Sequence, residues 1–149
     1  MKLLVKLGGT LLDAAESRTR LARELASLAG SHQVVVVHGG GKQMTRFLAE
    51  RGVESRFVDG LRVTTPETID AVLKVFAGSV NKQLTASMIE AGVQAVGISG
   101  IDGCLVEAVQ LRPELGQVGR PARANAALLT CLLAGGFVPV VASVAGLGT

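Results

Sequence analysis

A lysine two residues ahead of a Gly-Gly pair, Lys6 with Gly8 and Gly9, and a glycine cluster behind a histidine, His38 with Gly39, Gly40 and Gly41, are the residues best suited to chemistry in this 149-residue chain. Each cluster closes a short apolar run, Leu3-Leu4-Val5-Lys6-Leu7 in one case and Val34-Val35-Val36-Val37-His38 in the other. A strand that ends in glycines ahead of a helix leaves backbone N–H groups facing open space, and without Cβ atoms an anionic ligand approaches closely. A phosphate or a carboxylate suits such a cradle. Lys6 adds a cation inside an apolar strand, where a buried ammonium costs several kcal/mol unless it meets an anion. The alternative is an edge lysine that snorkels to water.

Neither common nucleotide motif applies. The P-loop pattern fails because Gly41-Lys42 is followed by Gln43, with no glycine at the required upstream spacing, and the GxGxxG fingerprint fits neither turn. A single Gly-Gly is more often only a turn. Two such clusters at the carboxyl ends of strands lie where open α/β sheets bind ligands.

The elements that position these residues alternate. After Gly8-Gly9-Thr10, Leu21, Leu25 and Leu28 recur at helical spacing in a helix predicted from Ala14 to Ala29, and Gly30 stops it. Val34 to Val37 is apolar on both faces, the pattern of a strand covered by helices on two sides. A helix from Gln43 to Arg51 follows. Asp59-Gly60 predicts a hairpin turn between Val53 to Val58 and Leu61 to Thr64. Thr65-Pro66-Glu67 reads as N-cap, first helical residue and acidic first turn of a helix reaching Ala91, bent or split at Gly78. Ala95 to Ser99 and Phe137 to Val141 are predicted buried strands, and Leu105 to Leu111 an edge strand. Arg112 to Arg123 reads as loop, and Asn125 as the N-cap of a helix from Ala126 to Ala134. The predicted fold is α/β, a three-layer doubly wound, mainly parallel sheet with a small β-hairpin.

Composition bounds the function classes. With 48% hydrophobic residues the chain builds one sizeable core. Its net charge of +3 is scattered and only 3% of residues are aromatic, which argues against nucleic-acid binding. The longest apolar stretch, Phe137 to Leu147, is far shorter than the roughly 20 residues of a membrane span. The N-terminus lacks the continuous apolar core of a signal peptide, so a cytoplasmic protein is expected. Cys104 and Cys131 form no CxxC pattern and are expected to be buried thiols, with no metal site.

Six segments in order carry a resemblance. Lys6-Leu7-Gly8-Gly9-Thr10, His38-Gly39-Gly40-Gly41, Gly60-Leu61-Arg62-Val63-Thr64, Val80-Asn81-Lys82, Ala95 to Gly103 and Glu114 to Gly119 together resemble the acetylglutamate kinases of the amino acid kinase family, over essentially the whole chain. The resemblance implies phosphorylation of the γ-carboxylate of N-acetyl-L-glutamate by ATP with Mg²⁺, in arginine biosynthesis. It implies that Lys6 stabilises the transferring phosphoryl group and that Gly8 and Gly9 hold its oxygens. It also implies that Gly40 and Gly41 contact the amino-acid substrate, and that Arg62 grips its α-carboxylate. By itself Arg62 reads as a solvated hairpin residue.

His38 is assigned a structural or supporting role, because a carboxylate nucleophile is ionised at neutral pH and needs no base. Asn81, Lys82, Asp102 and Gly103 stay outside the predicted catalytic set. Lys42 departs from the proline common in the family.

Acetylglutamate kinases continue into an Asn- and Asp-containing motif and a nucleotide lobe with a second catalytic lysine, neither of which these residues contain. The expectation is therefore that residues 1–149 form the N-terminal, amino-acid-substrate lobe, a homodimer without arginine inhibition that binds acetylglutamate weakly and is inactive alone. The alternatives are a kinase for a carrier-protein-bound aminoadipate or glutamate or another amino acid, a Rossmann-type oxidoreductase, and a non-catalytic α/β binding domain.

Overall fold

The computed structural model describes residues 1–148. Its elements are β1 (Lys2–Leu7), a 3-10 turn (Gly9–Leu12), α1 (Ala15–Ala29), β2 (Gln33–His38), α2 (Gly41–Ala49), β3 (Phe57–Val58), β4 (Leu61–Arg62) and α3 (Pro66–Val72). They continue with a π-helical segment (Leu73–Val80), α4 (Asn81–Glu90), β5 (Ala95–Ser99), β6 (Val106–Gln110), β7 (Gly119–Ala124), α5 (Ala127–Ala134), β8 (Val138–Ala142) and β9 (Gly146–Leu147).

The apolar runs become a parallel sheet of order β1-β2-β8-β5. Alternation along β2 splits it between two faces. Val34 and Val36 enter a core with Leu25, Met44, Leu84 and Met88, whereas Val35 and Val37 pack with Val141, Ile98, Leu129 and Leu133. Leu84 and Met88 are fully buried, worth about 1.5–3 kcal/mol each relative to exposure. The three-layer, mainly parallel α/β architecture is therefore present.

The second face is unevenly covered. β1 pairs with β2 alone, with Leu4 beside Val35 and Lys6 beside Val37, while α5 packs over β8 and β2. Leu4 is consequently 72% exposed and Lys6 is exposed as well. This corrects the expected burial of Lys6. Both cysteines are also exposed, contrary to expectation, because α5 buries no residue completely and Cys104 lies at an outer turn with φ 53°.

The helix after Thr65 runs unbroken through three geometries. Thr65 Oγ1 accepts the Thr68 amide at 3.2 Å, as its N-cap role requires. The chain then passes from α3 through the π segment into α4 without the break anticipated at Gly78. The π segment presses Phe76 against Gly40, where a Cβ would lie 2.9 Å from the ring Cδ1.

The hairpin turns at Asp59 (φ 51°) and Gly60 (φ 77°), the left-handed pair that joins two strands with native twist. It is moored by Arg112 to Asp59 Oδ2 at 3.0 and 3.1 Å and by the Gln117 amide to the Thr64 carbonyl at 2.7 Å. β6 is the middle strand of a small separate sheet ordered β7-β6-β9, not an edge. The stretch expected as loop contains β7, whose six residues Gly119–Ala124 are all exposed and so show no apolar alternation.

Candidate functional site

The carboxyl ends of β1 and β2 bring the two glycine turns into contact. A Cβ on Gly9 would lie 3.3 Å from the Gly41 amide nitrogen and 3.4 Å from Gly40 Cα. Gln43 Nε2 donates to the Gly9 carbonyl at 2.8 Å and fastens the first turn to α2. Around Gly8 and Gly41 the space is open: apart from the adjoining chain, no atom of the described residues lies within 4 Å of a Cβ at either position. Among the described residues no side chain caps α2 and no acidic residue stands in its first turn, so its leading amides suit an anion.

Arg62 reaches the same place from β4. Its Nη2 donates to the Gly41 carbonyl at 3.2 Å and to Thr45 Oγ1 at 2.7 Å, while Nη1 donates to Ser55 Oγ. The guanidinium stacks 4.7 Å from the Phe57 ring centroid. Partial burial pulls its pKa below the ordinary guanidinium value, yet an arginine stays charged in proteins. A cation is thus held beside free amides by neutral acceptors, an arrangement that suits a carboxylate.

Of the predicted site residues, the structure brings together Gly9, Gly40, Gly41 and Arg62, with Gly8 on the adjoining open turn. Lys6 stands apart from this contact set. Among the described residues its ammonium has no hydrogen-bond or ion-pair partner. Asp102 caps a turn, with Oδ2 accepting from the Ser99 amide and hydroxyl at 2.7 and 2.8 Å. Lys82 donates to the Gly97 carbonyl at 2.7 Å.

Beneath the glycines lies a buried polar pair. Asn81 Nδ2 meets His38 Nε2 at 3.0 Å, the Val140 carbonyl at 2.9 Å and the Ile98 carbonyl at 3.2 Å. His38 Nδ1 lies 2.8 Å from the Gly39 carbonyl oxygen. That oxygen can only accept, so Nδ1 carries the proton; the two carbonyls fix the amide orientation, so Nε2 accepts from Asn81. Sequence reasoning left Asn81 without a partner. The available signal was its place three and seven residues ahead of the core residues Leu84 and Met88, which puts a polar side chain on the buried stripe.

Burial pushes the His38 pKa below its ordinary 6.5, partly opposed by the Gly39 carbonyl. Below pH 6.5 the unfolded chain gains a proton that the folded chain refuses, so stability is present above that pH and is lost as pH falls toward the folded-state value, by at most about 1.4 kcal/mol per pH unit. Urea midpoints at pH 7.5 and 5.5 check this. An unchanged midpoint between them contradicts a neutral buried His38.

A parallel sheet covered by helices, with two glycine turns and an arginine gathered at its carboxyl edge, defines a doubly wound α/β protein. The chain belongs to the amino acid kinase family, whose family profile matches residues 1–149. It is 67% identical over 147 residues to the acetylglutamate kinase of Solibacter usitatus, covering 98% of this chain and 57% of that protein. It is 47% identical over 143 residues to the acetylglutamate kinase of Deinococcus radiodurans, covering 96% of this chain and 55% of that protein. The chain thus spans a little over half the length of these relatives. The fold is also that of an N-acetylglutamate synthase from Neisseria gonorrhoeae solved with coenzyme A and N-acetyl-glutamate, with a TM-score of 0.80 at 22% identity over 98% of this chain and 34% of that one. No helix among the described residues is long and apolar enough to cross a membrane.

Proposed function

We propose that this chain is the amino-acid-substrate lobe of an acetylglutamate kinase. In this reaction a γ-carboxylate oxygen of N-acetyl-L-glutamate forms a bond to the γ-phosphorus of ATP, the bond from that phosphorus to the β,γ-bridging oxygen breaks, and ADP leaves. The observation that carries the reading is Arg62 held by Gly41 and Thr45 at the open start of α2, together with kinship to the kinases named above.

Gly40 and Gly41 offer amides to the substrate, and Arg62 takes its α-carboxylate through a planar fork. Gly8 and Gly9 hold the phosphoryl oxygens. Lys6, exposed and without a partner among the described residues, is available to the charge that spreads over the transferring group. Magnesium enters with the nucleotide as part of the substrate; the nearby carboxylate of Asp13 is engaged by Lys42 at 3.3 Å and Arg46 at 3.0 Å. A cytoplasmic location and a homodimeric assembly belong to the same proposal.

Calorimetric titration with N-acetyl-L-glutamate tests the reading. The wild-type chain is expected to bind, and Arg62→Lys to bind about tenfold more weakly, because a point charge replaces a bidentate fork. Equal affinity in both proteins would remove Arg62 from the site. Free glutamate as competitor tests the acetyl group, since binding as tight as that of the acetylated compound would point to another amino acid.

A further inference from the structure

The glycine turn at the end of β2 is held from below by one side chain, and the peptide it holds is the one that matters. His38 Nδ1 donates to the Gly39 carbonyl oxygen at 2.8 Å. That oxygen and the Gly40 N–H belong to the same planar peptide unit, and in a trans peptide they point in opposite directions. Fixing the oxygen therefore fixes the N–H, and sends it away from the imidazole. Among the described residues the Gly40 N–H finds no backbone or side-chain acceptor, so it remains free for a ligand. The other face of Gly40 is closed by Phe76, which leaves the peptide little room to rotate.

The imidazole can do this in one state only. Nδ1 must carry the proton to bond Gly39, and Nε2 must then accept. Asn81 supplies the matching donor at 3.0 Å, and its amide cannot turn over, because the Val140 and Ile98 carbonyls at 2.9 and 3.2 Å would then face an oxygen. Asn81 is completely buried and stands where the π segment gives way to α4. A neutral histidine, a single tautomer and a single peptide orientation are linked in one chain of hydrogen bonds.

We propose that His38 is a positioning residue for substrate binding, aiming the Gly40 N–H through its bond to the Gly39 carbonyl, and that Asn81 fixes the imidazole tautomer that makes this bond. The inference rests on the reading of Gly40 as a substrate contact. It requires no proton transfer by His38, whose role is geometric.

The test uses the isotopically labelled chain and two substitutions that separate the ring nitrogens. Asparagine at position 38 reaches as far as Nδ1 and retains a donor for Gly39, whereas glutamine reaches the Nε2 position and does not. His38→Asn is expected to bind N-acetyl-L-glutamate within about threefold of wild type, and His38→Gln at least about tenfold more weakly. The Gly40 amide resonance should shift in the glutamine variant and stay near its wild-type position in the asparagine variant. Equal binding by His38→Gln and wild type, or equal Gly40 shifts in both variants, overturns the proposal. If wild type does not bind N-acetyl-L-glutamate, the substrate reading falls, and the Gly40 resonances alone decide the positioning role. Should either variant fail to fold, the ring nitrogen shifts of wild-type His38 decide it: protonation at Nδ1 supports the proposal and protonation at Nε2 overturns it.

Discussion

Replacing Asn81 with leucine is expected to lower the free energy of unfolding by about 3 kcal/mol, a large share of what holds a domain of this size together. The side chain is completely buried, and its amide nitrogen serves His38 Nε2, the Val140 carbonyl and the Ile98 carbonyl. Leucine has nearly the same shape and no donor, so these acceptors keep their burial and lose the amide, at about 1–3 kcal/mol for each group left unsatisfied. Urea denaturation measures the loss. A decrease below about 1 kcal/mol would mean that water or a backbone shift replaces the amide. Asn81→Asp gives a second reading of the same contact. A carboxylate there faces acceptors unless His38 takes up a proton, so this variant should recover part of its stability as pH falls from 8 to 5, opposite in sign to wild type.

Gly9→Ala is expected to weaken N-acetyl-L-glutamate binding by about 10- to 100-fold, the value of one or two charge-assisted hydrogen bonds, with stability changed by less than about 1 kcal/mol. The added carbon would lie 3.3 Å from the Gly41 nitrogen, 3.4 Å from Gly40 Cα and 3.1 Å from Gln43 Oε1. Two of these neighbours are backbone and cannot swing aside. The turns must separate by a few tenths of an ångström, and the amides of the second turn move with them. The core beneath is untouched, which is why affinity rather than stability should respond. Titration alongside thermal melting separates the two, and an alanine variant with wild-type affinity would show that the contact between the turns does not shape the site.

Where side chains follow a period, the sequence could be read closely. Val34 to Val37 announces a strand covered on both faces, Thr65-Pro66-Glu67 a helix start and Asp59-Gly60 a tight turn, and each forms as its local chemistry demands. The glycine turns were legible as anion-binding features, and Arg62 only through the resemblance, since by itself it reads as a solvated hairpin residue. Their contact was not, because it depends on how β1 and β2 are paired and on where the hairpin is moored. Lys6 was misjudged as buried for a related reason: an apolar run does not say whether its strand lies at an edge with one face open. β7 escaped notice because Gly119–Ala124 has every side chain exposed and owes its form to pairing with β6. The role of Asn81 was hidden because its partners come from three strands distant in sequence.

The π segment between Val72 and Asn81 marks where this chain can change length. A π turn closes its hydrogen bonds over one more residue than an α turn, so removing one residue between Leu73 and Val80 would let the helix revert to ordinary α geometry. The residue lost is the extra one that the wide turn holds, so the segments on either side would keep nearly the same facing, whereas the same deletion inside an ordinary α-helix would turn them by about 100°. α3 would stay seated on the core and Asn81 would still face the strands. A deletion that would break the alignment of most helices would here be absorbed, and the hairpin that carries Arg62 would keep its place against the sheet that carries the glycines.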